Sequence, residues 1–231
     1  MNLNETHLQI FGLAMIFYVV VTLGFSSFFN LITVEAKKNI ENPVMALEFV
    51  RKAGEVEAIV KGNIEARNGL KTFLILDSFA FVPLYFAFLL LMSFFLSQSN
   101  FEWAKTAMVF VVFAAIIAAA ADWTENFYSY QSLDKVFSNP DEPVGVVFWA
   151  AHVKWIMLFI AIGTLSAIFW RGSWWNIAAL LLFLSSLAGL AGLIFYRPLI
   201  TLALILQLLT ILVVGIVFMF STCRSSFLQN H

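Results

Sequence analysis

Six stretches of this chain, Leu8 to Val34, Thr72 to Leu96, Trp103 to Trp123, Val144 to Trp170, Trp174 to Tyr196 and Leu199 to Ser221, are apolar over lengths that a water-exposed helix does not sustain. A hydrocarbon core of ~30 Å takes about 20 helical residues to cross. Inside it every peptide group must find a partner within the protein, which leaves helices or closed barrels. Nothing in the chain alternates with the two-residue period of a barrel strand, so the expectation is an all-α, six-transmembrane-helix bundle forming one integral membrane domain over residues 1–231. Composition agrees: 61% of the residues are hydrophobic and 12% charged, where a soluble domain carries about a quarter charged. The first apolar run lacks a basic leader and is too long for a signal peptide, so it reads as a spanning helix.

Six crossings put both termini on one side. On that side the connections are short, Ser97 to Asn100 and Arg171 to Ser173; on the other lie Glu35 to Lys71, Thr124 to Pro143 and the turn at Arg197-Pro198. The face with the long segments holds nine Lys and Arg against three (Lys105, Arg171, Arg224), with Lys154 inside a span. By the positive-inside rule that face, including the 35–71 segment, is cytoplasmic and the termini are outside. Six glutamates compensate the bases of this segment, which argues against a nucleic-acid surface. Cys223 is the only cysteine, so intrachain disulfides and thiolate metal cages are excluded.

Within Glu35 to Lys71, Asn42 reads as an N-cap with Pro43 at the first helical position. Met45, Phe49, Ala53, Val56, Val60 and Ile64 follow at helical spacing, an amphipathic segment over 42–66 that lies in the interface or covers the bundle mouth. Gly54, Gly62 and Gly69 are candidate breaks. Asn139-Pro140 and Glu142-Pro143 read as starts of the fourth span. Ser185, Ala188, Gly189 and Gly192 form a small-residue surface for close helix packing, and Gln207 and Thr210 are expected to bond across helices.

The polar residues of the spans carry the functional signal. Asp122, Glu125 and Asn126 stand at i, i+3 and i+4 at the end of the third apolar run, so they share one helix face. Acids there oppose the helix dipole unless the helix continues, and no Gly or Pro interrupts 101–139. Trp123, Phe127, Tyr128 and Tyr130 fit an aromatic interface belt. Asp77 lies about 8 Å into the second span, ahead of Pro83, which cannot donate to the Phe79 carbonyl and predicts a kink. His152 and Lys154 lie about 12 and 15 Å into the fourth span and point to nearly opposite faces. A lysine at that depth needs a counter-charge, and one of the carboxylates would supply it. Arg197 returns at the same membrane face, as a topology anchor or as a partner for an anionic group. The candidate ligand-binding set is therefore Asp77, Asp122, Glu125, Asn126, His152, Lys154 and Arg197. Asp77, Asp122, Glu125 and His152 are also donors of the kind a divalent cation accepts, although no catalytic or metal motif is present.

Residues 76–85, with Asp77, Pro83 and Tyr85, and residues 121–126, with Asp122-x-x-Glu125-Asn126, together resemble a pattern of uncharacterised bacterial six-span integral membrane proteins. The likeness implies that the four polar residues act as a unit and that the chain sits in the bacterial inner (plasma) membrane; it implies no activity. The expectation from the residues themselves is a polar, acid- and histidine-lined pocket near one membrane face, binding a lipid-like or small cationic ligand. Its partners would be membrane lipid and that ligand, not nucleic acid. Three alternatives stand beside it: an enzyme acting on lipid or prenyl head groups, a proton- or cation-coupled transporter, and a structural or assembly subunit.

Overall fold

Backbone satisfaction in lipid makes each apolar run a helix, and the computed structural model, which describes residues 5–98, 103–134, 141–170 and 175–220, is all-α with no strand among the described residues. In chain order the helices are α1 (Glu5–Ile32), α2 (Val34–Lys37), α3 (Pro43–Glu48), α4 (Ala53–Val60), α5 (Ile64–Leu76), α6 (Val82–Ser97), α7 (Ala104–Asp134), α8 (Asp141–Leu165), α9 (Trp175–Ile194) and α10 (Pro198–Met219). A π turn, Asp77–Phe81, joins α5 to α6, and a 3₁₀ turn, Ser166–Phe169, follows α8. Six of the resulting stretches are long and apolar enough to cross a membrane: Glu5–Ile32, Ile64–Phe95, Ala104–Asp134, Pro143–Phe169, Trp175–Ile194 and Pro198–Met219. They make the chain a membrane-embedded, six-span helical protein.

The second and third of these exceed their apolar runs. Hydropathy marks where lipid begins, whereas helices end at caps and breakers. Asn63 caps α5, its Oδ1 accepting from the amides of Glu65 and Ala66 at 2.8 and 3.2 Å, and nothing between Ile64 and Thr72 stops the helix. Likewise α7 continues through Asp122 to Asp134. The Asn139-Pro140 start expected for the fourth span lies outside the described residues.

The described residues fall into two compact units, the first from Met1–Val21, Tyr85–Ile116 and Trp155–His231, the second from Thr22–Leu84 and Ile117–Lys154. The first is packed by rings and small side chains. Phe11 and Phe95 lie 3.9 Å apart between centroids, and Tyr18 stacks on Phe88 at 4.0 Å. At Gly189 a Cβ would fall 2.3 Å from the Phe159 ring, so only hydrogen fits that contact. Gln207 bonds across to Ser186 at 3.4 Å as expected, but Thr210 turns back to its own Leu206 carbonyl at 2.7 Å. A hydroxyl in an apolar setting can satisfy itself one turn away, and Thr210 does.

In the second unit the 42–66 segment is not one helix. The Asn42 cap holds, its Oδ1 accepting from Met45 at 3.1 Å with Pro43 at the start. The helix then breaks at 49–52 and again at Lys61-Gly62, where both residues take positive φ. Gly54 and Gly69 lie inside helices. Each break resets the phase, so Phe49, Val56 and Val60 are buried as the spacing predicts while Ile64 is 70% exposed. Leu47, Val50, Val56, Ile59 and Val60 instead pack with Leu70, Phe73, Leu133 and Val144 into a core of protein side chains. Gly69 lets α5 approach the end of α1: a Cβ there would stand 2.1 Å from the Ile32 carbonyl oxygen.

The disturbance expected at Pro83 takes the form of the π turn. Val82 N donates to the Asp77 carbonyl, one residue further back than in an α-helix. That shift leaves the Ser78 carbonyl without its intrahelical donor, and the indole Nε1 of Trp123 supplies one at 2.8 Å.

Candidate functional site

The chemistry-bearing side chains gather in the second unit. The helical spacing of α7 puts Asp122, Glu125, Asn126 and Ser129 on one face, and all four are buried. Across from them α8 delivers Lys154. Its Nζ lies 2.7 Å from Glu125 Oε2, 3.3 Å from Asp122 Oδ1 and 3.0 Å from Oε1 of Glu48, the last residue of α3. The Glu125 oxygen meets the ammonium as a charge contact without hydrogen-bond alignment. Side-chain exposure is 5% for Lys154 and Asp122, 2% for Glu125 and 13% for Glu48. The cage is closed, and its wettest member is Glu48.

A fourth carboxylate joins through an amide. Asn126 Nδ2 donates to Asp77 Oδ2 at 2.7 Å, which ties the π turn to the acid face of α7. Asp77 therefore starts the one irregular turn of its span and faces the cluster. Such turns recur where a helix must present a side chain off its regular register.

The candidate residues thus part company. Asp77, Asp122, Glu125, Asn126 and Lys154 belong to one contiguous set, with Lys154 serving as counter-charge to more than the single carboxylate expected of it. His152 does not join them. Its Nδ1 is 2.7 Å from the Phe148 carbonyl, an acceptor only, so that nitrogen carries the proton. Its ring packs edge-on to Phe49 at 5.3 Å and against Phe148 at 4.2 Å. Arg197 belongs to the first unit, where it stands exposed just before Pro198. Among the described residues no three His, Cys, Asp or Glu side chains are grouped as a metal ion requires. The Lys154 ammonium lies between the carboxylates of Glu48, Asp122 and Glu125.

Sequence reasoning passed over Glu48 and Ser129. Glu48 is the only charged residue between Asn42 and Arg51, and a lone acid in an apolar run is a signal of burial with a partner. Ser129 is the next residue of the Asp122 face, and its hydroxyl is buried without a hydrogen-bond partner. Compared with family models, curated proteins and solved structures, the chain matches none.

Proposed function

We propose that this chain is a single integral membrane domain that binds and exchanges a small cation, the proton included, at the Glu48, Asp122, Glu125 and Lys154 cage with Asp77 and Asn126 beside it. The observation that carries this reading is the imbalance of charge: three carboxylates, of Glu48, Asp122 and Glu125, surround one ammonium, and a fourth, Asp77, is bound beside them by Asn126. Charges out of water are tolerated only when neutralised, so the excess acid takes up protons or a further small cation. A site that holds such a cation next to an irregular helix turn suits a proton- or cation-coupled membrane protein. The excess of bases on the 35–71 side favours a cytoplasmic cage and outward termini. The likeness to bacterial six-span proteins favours the inner membrane, with lipid as the surrounding partner.

The test replaces the tethered ammonium. Lys154→Ala leaves a cage of like negative charges with no counter-ion, so the variant in detergent or nanodiscs should lose thermal stability and regain it with millimolar methylammonium or sodium, or at lower pH as carboxylates protonate. A variant indifferent to cations and to acid would overturn the reading.

A second reading, a lipid-like ligand, has its own observation. A cavity of about 360 Å³, in the range of small-molecule sites, lies between α4, the end of α7 and the start of α8. Its walls include Val56, Val60, Leu133 and Val144, with Arg67, and with Gln131, whose side-chain oxygen is buried unpartnered. Co-purified lipid seen by native mass spectrometry and lost in Val56→Trp would favour it; retention would exclude this cavity.

A further inference from the structure

The three carboxylates around Lys154 are not held alike. Asp122 and Glu125 are fixed one turn apart on α7, a helix of 31 residues. Glu48 comes from α3, which has six residues and is far too short to persist without tertiary contacts. Non-helical chain flanks α3 on both sides, at 38–42 and at 49–52. Glu48 is also the most exposed member of the cage, at 13% against 5% or less, so water meets the site on its side.

Beyond Glu48, the segment fastens to α8 by contacts of a different kind. Phe49 sets its ring against His152, and the Arg51 guanidinium lies 4.9 Å from the centre of the Phe148 ring. Phe148 and His152 are one helical turn apart, so the two contacts form a latch on one strip of α8. Withdrawing Glu48 gives up its contact with Lys154, and with it packing of the neighbouring Leu47 and Val50, but still leaves Lys154 between Asp122 and Glu125. Withdrawing either of those would require α7 to move. The weak wall of the cage is α3.

We infer that α3 is the door of the cation site: Glu48 is its detachable carboxylate, Phe49 and Arg51 are its latch, and its release opens Asp122 and Glu125 to the aqueous phase on the 35–71 side. This rests on the cation-site reading for its purpose but not for its geometry. The door sets when the cage exchanges its cation. With Glu48 in place Lys154 is enclosed; with Glu48 away, water reaches the α7 face and a monovalent cation or proton can enter or leave.

The experiment measures access to that face. Ser129→Cys, one turn beyond Glu125 and buried at 1% exposure, reports on it in a Cys223→Ser background. Full-length protein in nanodiscs is treated with a cationic, water-soluble methanethiosulfonate. The thiol should react slowly when Glu48 is intact and about tenfold or more faster in Glu48→Gln, the scale of one lost charge-assisted contact. Phe49→Ala, which frees the latch and keeps the carboxylate, should accelerate it in the same direction. Ser185→Cys, buried in the first unit, is the control and should stay unreactive throughout. Equal rates with and without Glu48, or a parallel rise at Ser185→Cys, would overturn the door. If labelling responds as expected while the Lys154→Ala protein ignores cations and acid, the door stands and the cation function falls.

Discussion

In the first unit Phe159 fills the space over Gly189 and Gln207 reaches Ser186; in the second, one lysine meets three carboxylates while a fourth acid is held by an asparagine. The long apolar helices α1, α6, α7 and α8 run through both units, yet the buried hydroxyls of Ser93, Ser166, Ser185, Ser186 and Thr210 in the first bond to carbonyls one turn back while the second accumulates charge. The first is what a helix pair needs in lipid: close approach, with hydroxyls bonded to their own backbone. The second carries a cost that packing does not require. A buried ion cluster is poor economy for stability alone, since apolar side chains of similar volume do as well or better. That contrast is the ground for proposing a cation site in the second unit.

The comparison breaks first at Lys154. Replacing it with Met strands buried carboxylates and should cost ~3–5 kcal/mol, read as a lowered unfolding midpoint in detergent. Replacing Lys154, Glu48, Asp122 and Glu125 together by Met and Gln should recover most of that loss while abolishing any cation response. In the first unit the largest effect should come from Gly189→Leu, which drives a side chain into the Phe159 ring and should cost about 1–3 kcal/mol with no change in cation response. Equal cation effects from both variants would erase the distinction between the units. Trp123→Phe should cost about 1 kcal/mol, because the Ser78 carbonyl loses its donor at a half-exposed site. Lys38→Ala, removing the exposed pair with Glu35, should change stability by under about 1 kcal/mol.

How far the residues foretold this arrangement depends on what each kind of signal measures. The six crossings were legible because crossing lipid is a matter of composition over some twenty residues. The shared face of Asp122, Glu125 and Asn126 was legible because helical spacing is fixed. Depth along a span follows from the sequence as well, but it does not say which way a side chain faces: His152 turns to Phe49 and Phe148. Two residues at one level can stand on opposite sides of a helix, as His152 and Lys154 do. Glu48 stayed hidden for a further reason. Its place is set by where the chain breaks after α3, and those breaks, at Phe49 to Lys52, carry neither Gly nor Pro. Trp123 looked like an interface anchor; its bond to Ser78 exists only because the π turn frees a carbonyl.

The central claim is that the cage holds more acid than base and makes up the difference with an exchangeable cation. Infrared spectroscopy of the protein in nanodiscs at neutral pH, comparing wild type with Asp77→Asn and Glu125→Gln, tests it most directly. The account predicts a protonated-carboxyl band that one of these substitutions removes, or, in its place, an unfolding midpoint that climbs with sodium or potassium. A spectrum of carboxylates only, on a protein whose stability ignores both ions, would contradict it.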